Sequence, residues 1–167
     1  MRVVVADATP LHYLILIGNV DVLPRIFERI HLPMEVRDEL SCEAAPPRVR
    51  SWMRQPPQWL EVVAAPAAGP EDSSLLALDL GERAAIVFAE SIRADLLLID
   101  DRAGAILAQQ RGLAVTGTLG VLDLASQAGL LHLQDAFARL QKTNFRYPPS
   151  LLEMLLEEER DRKKREV

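Results

Sequence analysis

The sequence predicts an α/β fold with a central parallel sheet, and three observations support this fold class. Apolar runs without polar alternation occur at residues 2–6 and 96–99, as in strands that are buried on both faces. Segments with helical spacing separate these runs, so that strands and helices alternate along the chain. A length of 167 residues with 49% hydrophobic side chains favours a single domain with a substantial core.

Five short apolar segments are expected to form the sheet. They cover residues 2–6, 30–32, 60–63, 96–99 and 114–116. Asp7 ends the first segment and Pro33 follows the second, and both residue types stop strands. Because helical segments alternate with these runs, the strands are expected to be parallel and doubly wound.

Helices are expected between the strands and after the last one. They cover residues 10–17, 20–28, 33–40, 49–54, 81–91, 102–111 and 119–127. Thr9 is predicted to cap the first of these helices, with Pro10 at the first helical position. Gly112 is predicted to end the sixth helix. Prolines make residues 41–73 the least regular part of the chain.

Only helices are expected after Leu131. Ser150 and Glu153 have the spacing of a capping box, which predicts the start of a final helix. The end of this helix, residues 157–166, has five acidic and five basic residues and is expected to be solvated or frayed. We therefore expect residues 1–131 to form the main domain and residues 132–167 a helical extension packed on or beside it.

Charge, cysteine content and the length of the apolar runs exclude or disfavour several classes of protein. The chain has 24 acidic and 19 basic residues and a net charge of −5, which disfavours nucleic-acid binding unless bound cations offset the carboxylates. The single cysteine, Cys42, excludes an internal disulfide framework. No uncharged apolar run reaches the roughly 18 residues that span a bilayer, and Asp7 interrupts the first apolar run too early for a signal peptide. We expect a soluble cytoplasmic protein without membrane contact.

Acidic residues are predicted to gather at one edge of the sheet. Asp7 follows the first strand, and Asp100 and Asp101 follow the fourth. The carboxyl ends of parallel strands form the edge where α/β proteins bind ligands. Glu82, in the first turn of a helix, and Glu39, in the last turn of another, are further candidates for this group.

Carboxylates that converge in this way repel one another unless a cation joins them. Mg²⁺ and Mn²⁺ prefer carboxylate and water oxygens, and metal-assisted phosphodiester hydrolysis uses such a group. Each acid also has a structural interpretation. Asp7 suits a turn or cap, Asp100 or Asp101 suits the cap of the next helix, and the helix dipole favours Glu82. The ordered set is more informative than any single acid.

Four motifs in a fixed order resemble a known family. They read VVVADATPLHYL, HLPMEVRDEL, LDLGERAAIVFA and LLLIDDRAGAILAQQRGLAVTGTLGVLDLASQAGLL. The chain resembles a PIN domain, and more narrowly the VapC-related PIN-like subgroup of bacteria and archaea, which is often encoded beside a small antitoxin. The resemblance covers roughly residues 2–131 and continues more loosely through FRYPPSLLEMLL. It implies a three-layer α/β/α fold with a central parallel sheet and a helical C-terminal extension.

The resemblance also implies a set of catalytic, metal-binding acids. They are Asp7, Glu39, Glu82 and Asp101, with Asp100 as neighbour of or substitute for Asp101. Glu39 belongs to a P-x-x-V-x-x-E-L pattern that starts at Pro33, and Glu82 stands where many PIN domains have Asp. The family consists of Mg²⁺- or Mn²⁺-dependent ribonucleases that cut single-stranded RNA. The implied function is therefore a metal-dependent endoribonuclease with Mg²⁺ or Mn²⁺ as cofactor.

The resemblance further implies three partners: an RNA substrate, a small antitoxin protein and a second copy of the chain. Thr9 is expected close to Asp7, where its hydroxyl would contact substrate. Arg48 and Arg50 alternate with Trp52 and could form an RNA-contacting arm through phosphate contacts and stacking. An amphipathic helix with a docked Trp is the favoured alternative, and a dimer or antitoxin contact is a third.

Two other functions fit parts of the sequence. Phosphoryl transfer through an aspartyl-phosphate would need an Asp two positions after Asp7, where the chain has Thr9, and a late catalytic Lys. The only lysines are Lys142, Lys163 and Lys164. A catalytically silent PIN-like domain that binds RNA or protein is the second alternative, and the intact set of acids argues against it.

Overall fold

The computed structural model describes residues 2–67, 69 and 72–165. Within these ranges the chain forms a five-stranded parallel sheet with α-helices on both faces. The strands are β1 (Val4–Ala6), β2 (Ile30–Pro33), β3 (Leu60–Val63), β4 (Leu96–Leu98) and β5 (Val115–Thr116). The helices are α1 (Ala8–Leu16), α2 (Val22–Phe27), α3 (Met34–Ser41), α4 (Pro47–Met53), α5 (Leu80–Ser91), α6 (Arg102–Gln110), α7 (Thr118–Gln127), α8 (Leu133–Gln141) and α9 (Pro149–Arg165), with a 3₁₀-helix at Ser73–Ala77.

The sheet has the strand order β3-β2-β1-β4-β5. β1 is central, with Val4 paired to Ile30 of β2 on one side and to Leu96 of β4 on the other. All three residues of β1 are buried, as expected for a short apolar strand covered on both faces.

Helices cover both faces of the sheet. The chain moves from β1 to β2 and β3 in one direction and then crosses to β4 and β5 on the other side. With right-handed crossovers, this order places α1–α4 on one face and α5 and α6 on the other. α5 packs on β1, β2 and β4, whereas α1 packs against α3, α4 and α7. The predicted three-layer α/β/α fold is confirmed.

The last two helices share the core of the sheet domain. Leu133 and Phe137 of α8 and Leu152 and Leu155 of α9 belong to the same buried cluster as the strands. Both helices pack against α7. The C-terminal region is therefore packed on the sheet domain through α7.

Most side chains in the described part of the charged C-terminal segment are exposed, as expected, but the helix does not fray there and Glu159 is buried. The helix continues to Arg165, and Glu159 is 6% exposed. Its Oε1 accepts hydrogen bonds from Ser126 Oγ at 2.7 Å and from Leu133 N at 3.1 Å. Residue 166, the last of the predicted charged segment, lies outside the described residues.

Two predicted helix caps are also wrong. α1 begins at Ala8, so that Asp7 occupies the N-cap position and Thr9 lies in the first turn. α9 begins at Pro149, one residue before Ser150, because proline suits the first position of a helix. In the part of the chain that the structure describes, no helix has both the length and the apolar character to cross a membrane.

Candidate active site

The acidic edge lies at the point where the strand order reverses. β1 and β4 are neighbours, but the chain leaves them in opposite directions, which opens a crevice beyond their carboxyl ends. Asp7 follows β1, and its amide donates to the Leu98 carbonyl of β4 at 2.9 Å. Asp100 and Asp101 follow β4 after one residue, Ile99. The structure therefore brings these three predicted acids to one edge.

Asp7 is the most buried of the predicted acids. It is 3% exposed, and its Oδ1 has no hydrogen-bond partner in the part of the chain that the structure describes. Burial raises the pKa of Asp7 well above its usual value, and the negative charges of Glu39 and Glu82 raise it further, whereas the Ala8 amide opposes the shift. This carboxylate lacks the partner that a buried polar group needs.

Gly81 allows Glu39 to approach Asp7. α3 packs against α5, and a Cβ at position 81 would lie 2.7 Å from Glu39 Oε2 and 3.6 Å from Asp7 Oδ1. Two carboxylates on different elements thus point into the same space beside the backbone of α5. The pKa of Glu39 is raised, first by burial and then by the charge of Asp79.

Glu82 forms a capping box at the start of α5. Its amide donates to Asp79 Oδ1 at 2.8 Å, and its Oε2 accepts from the Asp79 amide at 3.3 Å. Burial and then the charges of Asp79 and Asp101 raise the pKa of Glu82 to about 7. Glu82 is therefore held by the fold and is electrostatically coupled to the other acids.

The two acids after β4 have different structural partners. Asp101 is the N-cap of α6, and its Oδ2 accepts from the Gly104 amide at 2.8 Å. Asp100 accepts from the amide of Thr118 at 2.8 Å and from its hydroxyl at 2.6 Å. Burial raises the pKa of Asp100, and these Thr118 bonds oppose the shift. Gly117 is required here, because a Cβ would overlap Asp100 Oδ1.

The acids supply the oxygen ligands that a hard divalent cation prefers, but their side chains are not arranged around a common metal position in the described residues. Within residues 2–67, 69 and 72–165, no three or more His, Cys, Asp or Glu side chains are arranged to hold a metal ion. Hydrogen bonds to helix starts occupy Glu82, Asp100 and Asp101. The donor set nevertheless consists of carboxylate oxygens, which Mg²⁺ and Mn²⁺ prefer. The unpartnered Oδ1 of Asp7 fits an oxygen that a cation would satisfy.

Open cavities adjoin the acids on two sides. One cavity, of about 370 Å³, is lined by three of the acids, Glu82, Asp100 and Asp101. Thr9, Tyr13 and the segment before α9 complete its lining. Glu39 lines another, of about 640 Å³, between α3 and α5. A cavity of about 510 Å³ between α7 and α9 contains Glu159 and lies apart from these acids. Because Glu159 is fully engaged in bonds within the fold, we assign that third cavity a structural role.

The structure does not bring Arg48 and Arg50 to these acidic cavities. Both lie on α4, and Arg48 donates to the Leu16 carbonyl at 3.3 Å, at the opposite end of α1 from Asp7. The nine residues of α1 span about 13 Å at about 1.5 Å per residue. α4 is therefore amphipathic, with Val49 and Met53 buried and Trp52 packed on the core.

Sequence analysis missed several residues around the acids. Asp79 caps α5 and contributes to the raised pKa of Glu82, and its spacing before Glu82 was a readable capping-box signal. Tyr13 and Arg146 line the same cavity as Glu82. No local pattern joins these two, since they are far apart in sequence. The FRYPPSLLEMLL segment, which contains Arg146, continues the family resemblance only loosely and predicts no site residue.

Comparison with known proteins agrees with this architecture. The chain matches the family model DUF3368, whose description is PIN domain, over residues 3–160. No protein with a curated description matches the chain. The matched range includes every acid at the edge of the sheet and most of α9, and PIN domains are generally nucleases. The chain belongs to the PIN domain family.

Proposed function

We propose that the protein is a metal-dependent endoribonuclease that hydrolyses RNA phosphodiester bonds with Mg²⁺ or Mn²⁺. One observation carries the proposal: the buried Asp7 carboxylate has an unpartnered Oδ1 that shares a small space with Glu39. Leaving such a group unsatisfied costs stability, and a cation would remove that cost. Membership in a family of nucleases gives the cation a chemical use.

Four acids would hold the ion: Asp7, Glu39, Glu82 and Asp101, with Asp100 beside them. A bound ion would lower the pKa of a water molecule and stabilise the departing oxygen. The chain contributes the positions of the carboxylates, since β1 fixes Asp7 and the start of α5 fixes Glu82. The carboxylates alone would repel a phosphodiester. Once cations offset their negative charge, the cleft can accept one.

Thr9 is the proposed substrate contact within the cavity. It lies two residues after Asp7, in the first turn of α1, and lines the cavity together with Glu82 and Asp101. Its hydroxyl can donate to a phosphate oxygen. Arg48 and Arg50 are proposed as contacts for RNA that extends beyond this cavity along α1. Their distance from the acids gives them a role in affinity rather than in the reaction.

In the cell, the proposed role is that of the toxin in a type II toxin–antitoxin pair of the VapC-related kind. A small antitoxin, a homodimer and a cytoplasmic location are parts of this proposal. Leu80, which lines the cavity between α3 and α5, is 69% exposed, and Leu76 in the preceding 3₁₀-helix is 68% exposed. These two side chains are the proposed apolar contacts for a protein partner.

A catalytically silent binding module is the second candidate function. The observation that favours it is the engagement of Glu82, Asp100 and Asp101 in hydrogen bonds within the fold. Such a module would keep its acids for structure alone, and its stability would not respond to Mg²⁺ or Mn²⁺.

RNA cleavage tests the proposal directly. Purified protein is incubated with a mixed pool of single-stranded and structured RNA in Mn²⁺ or Mg²⁺, alongside chelated protein, Asp7→Asn and the exposed matched control Asp135→Asn. We expect cleavage by the wild type and by Asp135→Asn only. Full activity in a folded Asp7→Asn variant would contradict the assignment of Asp7.

Thermal denaturation with and without metal separates the two candidates if no RNA is cut. A cation that binds only the native state raises the melting temperature with increasing concentration. We expect such a shift for the wild type and a smaller one for Asp7→Asn. No shift in either protein would favour the binding module.

A further inference from the structure

A short segment before α9 forms the wall of the cavity that faces the acids. Asn144, Phe145 and Arg146 line it together with Tyr13 of α1. Tyr13 Oη donates to Asn144 Oδ1 at 2.8 Å, which ties this segment to the helix that follows Asp7. The wall is therefore positioned by the helix that begins immediately after Asp7.

Tyr13 and Phe145 are the aromatic residues of this wall, and Tyr147, which lies outside the cavity, packs behind Phe145. Tyr13 and Phe145 meet edge to face with ring centroids 4.8 Å apart, and Phe145 and Tyr147 are stacked at 6.2 Å. All three rings are half-buried against the core. Because packing already orders these rings, a ligand that contacts their exposed part would not have to immobilise a mobile side chain, and that entropy cost is avoided.

Among the described residues that line this cavity, Arg146 is the single cation. Its side chain is exposed, and it makes no ion pair with any residue in the described ranges. The nearest acids have other partners, because Thr118 holds Asp100 and the start of α6 holds Asp101. Burial raises the pKa of Tyr13, and the charge of Asp100 raises it further. The charge of the Arg146 guanidinium lowers it. Arg146 thus lies near the acids with its donors free.

We propose that Arg146 and Phe145 form a nucleotide subsite for single-stranded RNA beside the acidic centre. Arg146 binds a phosphate next to the one that is cut, because its planar guanidinium suits phosphate oxygens. Phe145 stacks on an unpaired base of the same strand, and Tyr13 holds Phe145 in place. This inference rests on the proposed ribonuclease function and adds to it the residues that select an unpaired strand.

The pairing of one arginine with one ring favours a single strand over a duplex. Bases in a duplex are stacked on each other and their faces are not accessible, whereas unpaired bases stack readily on aromatic side chains. A phosphate contact alone would not distinguish the two forms. Selection for unpaired RNA therefore depends on Phe145, and affinity at low salt depends on Arg146.

Binding in a protein that cannot cut its substrate tests the subsite. Full-length Asp7→Asn protein is titrated against a fluorescent single-stranded RNA and a matched hairpin duplex, and anisotropy is measured across a range of salt concentrations. Arg146→Ala, Arg146→Lys and Phe145→Leu are introduced into this background. Arg160→Ala, an exposed arginine further along α9, is the matched control, and thermal melting shows that each variant is folded.

Each variant has a distinct expected result. Arg146→Ala should reduce the slope of log affinity against log salt by about 0.7, the value for one phosphate contact with a single strand. Arg146→Lys should restore most of that slope. Phe145→Leu should weaken single-strand binding by about fivefold or more with an unchanged slope. Arg160→Ala should change neither quantity.

Three results would overturn the inference, and they separate it from the proposed function. An unchanged affinity and slope in Arg146→Ala, with RNA still cut by the wild type, would remove the subsite and leave the nuclease. Equal affinity for hairpin and single strand, unchanged in Phe145→Leu, would remove the stacking contact. Failure of the wild type to bind or cut any RNA would remove both.

Discussion

Raising the pH from about 4.5 to about 7 should lower the free energy of unfolding of the metal-free protein. The cause is Glu82, whose pKa rises from 4.5 to about 7 because of burial and the charges of Asp79 and Asp101. Between these values the folded protein holds a proton that the unfolded chain has released, so that stability falls as the pH rises. The pKa values of Asp7 and Glu39 are also raised, which adds to the fall.

The size of this effect follows from the shift of Glu82. At about 1.4 kcal/mol per pKa unit, the full shift corresponds to about 3 kcal/mol. Because the side chain is only partly buried, solvent screening reduces this, and we expect about 1–2 kcal/mol from Glu82. Asp72 and Glu159 have lowered pKa values, from 3.8 and 4.5 respectively. Their opposite contribution is gained mainly below about pH 5.5 and therefore offsets only the first part of the fall.

Urea denaturation in the presence of a chelator, repeated across this pH range, measures the effect. Glu82→Gln should reduce the dependence by about 1–2 kcal/mol, and glutamine at this position keeps the capping box. Glu158→Gln, exposed on α9, should leave the dependence unchanged. A stability that is constant or rises between pH 5 and about 7, or a Glu82→Gln variant with the dependence of the wild type, would refute the argument.

Two substitutions elsewhere give further expected outcomes. Gly81→Ala should reduce metal-dependent RNA cleavage, because its Cβ would lie 2.7 Å from Glu39 Oε2; equal cleavage by variant and wild type in the same assay would contradict this. Glu159→Ala should lower the free energy of unfolding by about 1–3 kcal/mol, since the Leu133 amide loses its buried acceptor. Urea denaturation of Glu159→Ala against the exposed neighbour Glu158→Ala checks this, and equal stabilities would show that Glu159 does not anchor α9.

The edge location of the acids could be predicted because it depends on local sequence. Asp7, Asp100 and Asp101 directly follow apolar runs that had to be strands, and parallel strands carry such residues to one edge. The strand order that makes β1 and β4 neighbours was not predicted, because no local pattern specifies which strands pair. The all-parallel sheet itself followed from the alternation of strands and helices.

Features that depend on packing between distant elements could not be predicted. Glu39 reaches Asp7 only because α3 packs on α5 and residue 81 has no side chain. Glu159 looked solvated in a run of charges, yet the α7–α8 region buries it and provides its hydrogen-bond donors. Arg146 joins the acidic cavity through a tertiary contact of its segment with α1.

Two of the acids, Glu82 and Asp101, have both a structural role and a proposed catalytic role. Glu82 and Asp101 make the capping bonds of α5 and α6, and loss of such a bond costs about 1 kcal/mol. A cation that recruits either carboxylate must therefore compete with a helix cap, and substitution there changes stability and function together. Asp7 differs, because its side chain makes no capping bond and its Oδ1 is unpartnered. Asp7→Asn is thus the variant that best separates metal chemistry from folding.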